Sequence, residues 1–339
     1  MRQFSDPAQV LHAPARELHN GGWMDYAESP ARFEAMLDTL GPGEPARDFG
    51  IEPILAVHDP AYVAFLREAY DLWRAAGREG DAMGYIFPIR GRRPLDLERI
   101  DAKIGAFAMD ASTPVASGTW GAAYGGAQSA LTALEAVLGG DRNAFALCRP
   151  PGHHCGADYM AGYCYLNNAA IAARAAQARG IQRVAILDVD YHHGNGTQDI
   201  FYEDGEVFFA SIHADPKTDY PFFWGHADER GEGAGEGTTL NLPLPQGTDW
   251  QGYALALDTA LQAVREHAAD LLIVSYGADT FAEDPISHFR LLREDYGAMG
   301  ERIAALGLPT LVVMEGGYAV DALGANVAAF LDGLERTAR

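Results

Sequence analysis

The chain has 339 residues, 48% hydrophobic and 10% aromatic, which is material for one large domain and excludes a disordered chain. Its 47 acidic residues against 25 lysines and arginines give a net charge of −22, which repels nucleic acid and anionic membrane surfaces and attracts cations. Cys148, Cys155 and Cys164 form neither an even disulfide framework nor a C-x-x-C pair, the N-terminus lacks an apolar signal core, and no run of about 18 apolar residues occurs, so a cytoplasmic setting is expected.

In chain order, helical periodicity predicts helices near 31–40, 60–76 and 119–138. Between the second and third, the segment 80–96 mixes aromatics, prolines and arginines with no clean period; it reads as a surface loop or as an oligomerisation or lid element. From residue 143 onward, short apolar runs at 143–148, 184–190, 207–213, 271–277 and 310–317 read as strands. They alternate with helical segments near 167–179, 251–268 and 288–306. That alternation predicts βαβ units around a parallel sheet, and no repeat or linker divides the chain, so one α/β domain over 1–339 is expected.

Ligands of open α/β sheets bind beyond the carboxyl ends of the strands, and here those ends carry unusual chemistry. Asp188, Asp190 and His192 fall on one face if the strand continues through them, because side chains alternate with period two. Asp190 and His192 can converge on one ion, and Asp279, which follows another strand at the same edge, can complete the set. Asp and His donors suit zinc at roughly 2.0 to 2.2 Å, and three protein ligands leave a position for water and substrate. The competing reading, solvated loop acids, fits poorly with an aspartate embedded in AILDVD, where an unpaired buried carboxylate is costly.

His153 and His154 follow a Pro-Pro-Gly turn and offer one general base and one electrostatic or acid partner. Asp188 and Asn195 are the candidate orienting groups; a carboxylate on one ring and an amide on the other should push the two pKa values apart. Tyr318, after Gly316 and Gly317, can donate to an oxyanion. His213 reads as a satisfied core histidine. The glycine-rich run at 231–237 does not follow a strand and carries glutamates, and neither a P-loop nor a G-x-S-x-G elbow occurs, so phosphoryl transfer and serine hydrolysis lack support. The cysteines read as small buried residues rather than nucleophiles.

RPPGHH at 149–154, GYCYLNNAA at 162–170, DVDYHHGNGTQ at 188–198, GADTFAEDP at 277–285 and EGGY at 315–318 together resemble the histone deacetylase superfamily. Within it the chain is similar to the bacterial acetylpolyamine amidohydrolases from about residue 12 to 335. The resemblance implies an arginase-like α/β domain with a largely parallel eight-stranded sheet flanked by helices. It implies zinc on Asp190, His192 and Asp279, the histidine pair at His153 and His154, and the transition-state tyrosine at Tyr318. Asp188 would orient the first histidine and, with Ser211, hold a potassium ion. Asn195 stands where class I enzymes have an aspartate, an asparagine shared with amidohydrolase and class II relatives.

Tyr163, Tyr220 and Phe223 match walls of the acyl tunnel, Glu17 an acid suited to a distal ammonium, and Asp110 a rim aspartate that binds substrate backbone. The insertion around 80–100 resembles an amidohydrolase loop that packs across a homodimer and narrows the entrance. The expected activity is zinc-dependent removal of acetyl or related acyl groups from N-acetylated polyamines or similar small cationic amines, with His154 as base, His153 as electrostatic support and Tyr318 as oxyanion donor. Its rivals are a class II type protein acetyllysine deacetylase, which differs at the rim; a ureohydrolase, which needs two metals; and a non-catalytic acyl-amine binding protein.

Overall fold

Eight parallel strands run through the centre of the structure, a computed structural model that describes residues 1–19, 21–88 and 96–336. The chain opens with β1 (Arg2–Ser5), an antiparallel hairpin of β2 (Arg16–His19) and β3 (Gly22–Asp25), and helix α1 (Pro30–Leu40). A two-residue strand β4 (Glu44–Pro45) precedes helices α2 (Glu52–Leu55), α3 (Pro60–Ala75), α4 (Ile100–Ala106) and α5 (Thr119–Leu138). Strand–helix alternation then begins with β5 (Asn143–Ala146), α6 (Asn168–Gln177), β6 (Val184–Asp188), α7 (Asn195–Phe201) and β7 (Val207–Ala214). It ends with β8 (Thr239–Leu244), α8 (Trp250–His267), β9 (Leu271–Tyr276), α9 (Arg293–Ala304), β10 (Thr310–Met314) and α10 (Val320–Arg336).

The sheet order is β4-β1-β5-β10-β9-β6-β7-β8, so the five strands read from the sequence form its contiguous middle. Every residue of those five is buried, because helices cover both faces of a parallel sheet. Along β6, Ala185 and Leu187 join the core under α8, α9 and α10, while Val184 and Ile186 join the core under α5 and α6. The outer strands β1, β4 and β8 are partly exposed and carry no continuous apolar run.

Four of the expected strands end early, at Ala146, Asp188, Tyr276 and Met314. The strand expected over 184–190 stops at Asp188, because the Asp188 carboxylate accepts the Asp190 N–H at 3.1 Å and the Asp190 carboxylate accepts the His192 N–H at 2.9 Å. These successive aspartate turns curl the chain, so Asp190 and His192 reach the site from a loop and not from a pleated face. Helix α10, absent from the sequence reading, packs on α9 through glycines: a Cβ on Gly300 would lie 2.3 Å from the Phe330 carbonyl, and one on Gly333 2.1 Å from that of Gly297. Of the insertion expected around 80–100, residues 89–95 lie outside the described residues; in its described flank Tyr85 and Ile86 are exposed.

A third core lies between α3, α4, α5 and the loop 155–166 that leads away from the histidine pair. His58 fastens that loop. Its Nε2 accepts the Asn167 N–H at 3.0 Å, which requires the proton on Nδ1, and Nδ1 donates to the Gly156 carbonyl at 3.0 Å. Burial outweighs the backbone contacts and lowers its pKa to about 4 from 6.5. The unfolded chain therefore takes up this proton first: stability is full above about pH 6.5 and is lost as pH falls from there towards 4, by about 3 kcal/mol at most for this group. Urea midpoints across that window should decline, and decline less steeply in His58→Gln; a level wild-type midpoint would contradict this account.

Candidate active site

Parallel strands end at one edge, and that edge gathers residues from the ends of four strands. Asp188 is the last residue of β6, Asp279 follows β9 by three, Glu315 follows β10 directly, and His153 and His154 lie beyond β5. Asp190, His192 and Asp279 place one ligand atom each within 4.8 Å of one another. His192 Nδ1 lies 3.1 Å from Asp279 Oδ2 and 3.4 Å from Asp190 Oδ1. Backbone amides hold the carboxylates: Tyr191 N–H donates to Asp279 Oδ1 at 2.9 Å, and Gly316 N–H to Asp190 Oδ2 at 2.8 Å.

Two glycines make room for this cluster. A Cβ on Gly277 would sit 2.1 Å from Asp190 Oδ2, and one on Gly316 would sit 2.6 Å from oxygens of both Asp190 and Asp279. Gly316 is therefore a clearance for the carboxylates, whereas Gly317, at φ +127°, supplies the turn before Tyr318. Burial and the Asp190 charge push Asp279 up to about 7, whereas the rings of His153 and His192 outweigh burial and hold Asp190 below its usual range. His192 rises to about 10 because Asp190 and Asp279 outweigh its burial. Two buried carboxylates sharing one imidazole are short of positive charge, and their oxygen and nitrogen donors fit a divalent cation.

The histidine rings stand 4.0 Å apart. His153 Nδ1 meets Asp188 Oδ2 at 3.0 Å, and His154 Nδ1 meets Asn195 Oδ1 at 2.7 Å, the pairing of rings and partners expected from the sequence. Burial opposes charge on both. At His153 the charges of Asp190 and Asp188 win and raise it to about 10, while His154, beside the positive His153 and His192, falls well below 6.5. A divalent cation on Asp190 would cancel part of the pull on His153.

Tyr318 is buried, and burial keeps its phenol protonated and able to donate. Asp284 accepts its backbone N–H at 2.7 Å and that of Ala319 at 3.2 Å. Arg32 of α1 stacks 4.9 Å from its ring and donates to the carbonyls of Gly317 and Glu315, both at 2.6 Å. Arg32 is itself paired with Glu28, which also meets Arg149 at 2.9 Å, all three buried. Glu315 Oε2 accepts from the N–H of Gly152 at 2.6 Å and of His153 at 3.1 Å, and burial pushes the group up to about 7. The sequence reading assigned no role to Arg32, Glu315 or Asp284; the last two stand inside motifs it quoted, while a single arginine in a helix carries no signal.

At the mouth, Tyr163 adopts φ 68°, uncommon for a residue with a side chain, and its ring lies 5.6 Å from that of Tyr318. Its hydroxyl donates to Glu17 Oε1 at 3.0 Å. Glu17 is only 2% exposed, its Oε2 lacks a hydrogen bond, and burial pushes it up to about 7. Tyr220 stands edge-on to His154, with ring centres 4.9 Å apart. Asp110 spends its oxygens within the protein, accepting from Ser112 N–H, Thr113, Gly162 N–H and the Tyr220 hydroxyl. Phe223 is 81% exposed and its ring neighbours Trp224 and none of the site histidines. Ser211 pairs with Asp188 in the β6–β7 register, and its hydroxyl meets His213 Nδ1 at 2.8 Å. His213 bonds Gly225 O through its other nitrogen, satisfied in the core, and all three cysteines are buried and unpaired.

Residues 26–334 match the histone deacetylase domain. The chain is 51% identical over 337 residues to acetylpolyamine amidohydrolase 1 of Pseudomonas aeruginosa, covering 97% of each chain. It is 45% identical to the acetylpolyamine amidohydrolase of Mycoplana ramosa, with 98% of each covered. The crystal structure of an acetylpolyamine aminohydrolase from Burkholderia pseudomallei superposes with a TM-score of 0.94 at 42% identity, covering 99% of both chains. The chain belongs to the histone deacetylase family, alongside the bacterial acetylpolyamine amidohydrolases.

Proposed function

We propose that the protein is a zinc-dependent amide hydrolase that removes acetyl groups from N-acetylated polyamines. The observation that carries this reading is the buried Asp190–His192–Asp279 cluster set beside two imidazoles with opposite pKa shifts. A zinc ion on those three residues would supply Lewis acidity towards the amide carbonyl and the attacking water. A potassium ion at Asp188 and Ser211 belongs to the same reading. So does a homodimer through the segment 80–100, supported by the exposed Tyr85 and Ile86.

His154, unprotonated and held through Nδ1 by Asn195, takes the proton of the attacking water at Nε2. His153, charged through Asp190 and Asp188, stabilises the negative charge that develops. The Tyr318 phenol donates to the oxygen of the tetrahedral centre. His154 then returns its proton to the departing amine, leaving acetate. Support for a cationic substrate comes from Glu17: its buried carboxylate, short of a partner, gains one when a distal ammonium arrives beside Tyr163. The net charge of −22 attracts the same substrate.

Three measurements test this reading. Chelation should abolish turnover, zinc should restore it, and elemental analysis should return one zinc per chain; two per chain would favour ureohydrolase chemistry. Tyr318→Phe should lower kcat by about 10²–10³ with little change in KM, the usual cost of one oxyanion donor, and an unchanged kcat would remove that role. Acetylputrescine should be hydrolysed in preference to an acetyllysine peptide, with Glu17→Gln eroding the preference through KM; preference for the peptide would favour a protein deacetylase.

A further inference from the structure

An asparagine is an ambiguous partner for a catalytic histidine. A carboxylate presents oxygen whichever way it is turned, but an amide turned by 180° presents N–H₂ in place of oxygen. Asn195 Oδ1 facing His154 requires the proton on Nδ1 and leaves a lone pair on Nε2; the flipped amide would favour the opposite tautomer. The base therefore depends on what holds the far side of Asn195.

That far side is a built chain of hydrogen bonds. Asn195 Nδ2 donates to the Tyr159 hydroxyl at 3.2 Å, with longer approaches to the His154 carbonyl at 3.4 Å and Met109 Sδ at 3.7 Å. The Tyr159 hydroxyl lies 2.7 Å from Asp199 Oδ2, and Trp224 Nε1 donates to Asp199 Oδ1 at 2.9 Å. The ring is fixed by packing as well: a Cβ on Gly156 would come within 2.2 Å of Tyr159 Cε1, so the phenol lies flush on that backbone.

The direction of this chain is set from Asp199. Ionised Asp199 accepts only, so the tyrosine gives it the phenolic proton and keeps a lone pair for Asn195. The amide must then turn its N–H₂ to Tyr159 and its oxygen to His154. We infer that Asp199 and Tyr159 are positioning residues that set the tautomer of His154, acting through Asn195 from the protein surface. The inference rests on the reading of His154 as the base only for its effect on rate, not for its effect on the tautomer.

The test uses zinc-loaded protein with ¹⁵N-labelled histidine, in which long-range ¹⁵N–¹H spectra report the His154 tautomer directly. Wild type should show the Nδ1–H form. Tyr159→Phe should populate the Nε2–H form and lower kcat on the order of tenfold at little-changed KM, within the ~10²–10⁴ that a positioned base supplies. Asp199→Asn, at an exposed position, should move both readouts the same way by less. In an Asn195→Asp background, where either rotation presents oxygen, Tyr159→Phe should cost nothing further. An Nδ1–H tautomer retained in both single variants would overturn the relay, whatever the rates. A changed tautomer with unchanged kcat would uphold the relay and remove His154 as the base.

Discussion

Buried carboxylates organise this chain. Glu28, Asp188, Asp190, Asp279 and Glu315 all lie out of water at or near the carboxyl edge of the sheet, where an uncompensated charge costs several kcal/mol. Each is answered differently. Glu28 has two arginines, Asp188 has His153, and Glu315 has two backbone amides. Asp190 and Asp279 have backbone amides on one side and one shared imidazole on the other, and that deficit suits the cluster to a cation.

The same constraint reaches far along the chain. Glycines at 277 and 316 follow from the need to bring the Asp190 and Asp279 carboxylates against backbone. Helix α1, remote in sequence, is fastened to the site because Arg32 both neutralises Glu28 and caps the carbonyls on either side of Gly316. Tyr318 is thereby gripped from two directions, by Arg32 over its ring and by Asp284 on its backbone, so a flexible Gly-Gly segment carries a fixed phenol.

The legible parts of the sequence were those where residue type and burial coincide. Strands buried on both faces carry continuous apolar runs, so β5, β6, β7, β9 and β10 could be read, whereas the outer strands β1, β4 and β8 have no such run. The cluster of Asp190, His192 and Asp279 was legible because acids and histidines follow apolar strands, although aspartate turns and not strand periodicity bring Asp190 and His192 to it. Glu17 and Asp110 show what composition cannot resolve: both read as acids near the entrance, yet one is buried with an oxygen to spare and the other is spent on its own loop and on Gly162 and Tyr220. Aromatic identity likewise did not separate Tyr220, edge-on to His154, from Phe223, open to solvent.

The histidine pair shows how one acidic environment yields two chemistries. Both rings are buried and adjacent, so burial alone would leave both neutral. The carboxylates of Asp190 and Asp188 around His153 reverse that, and the charge they create then works with burial to keep His154 neutral. The amide at Asn195 is what permits this asymmetry, since a second carboxylate there would pull His154 towards charge as well. Neutrality has a cost in definition, because an amide must be told which way to face. A site that keeps one imidazole charged and its neighbour basic thus needs a carboxylate at contact distance for the first and, for the second, one held at arm's length.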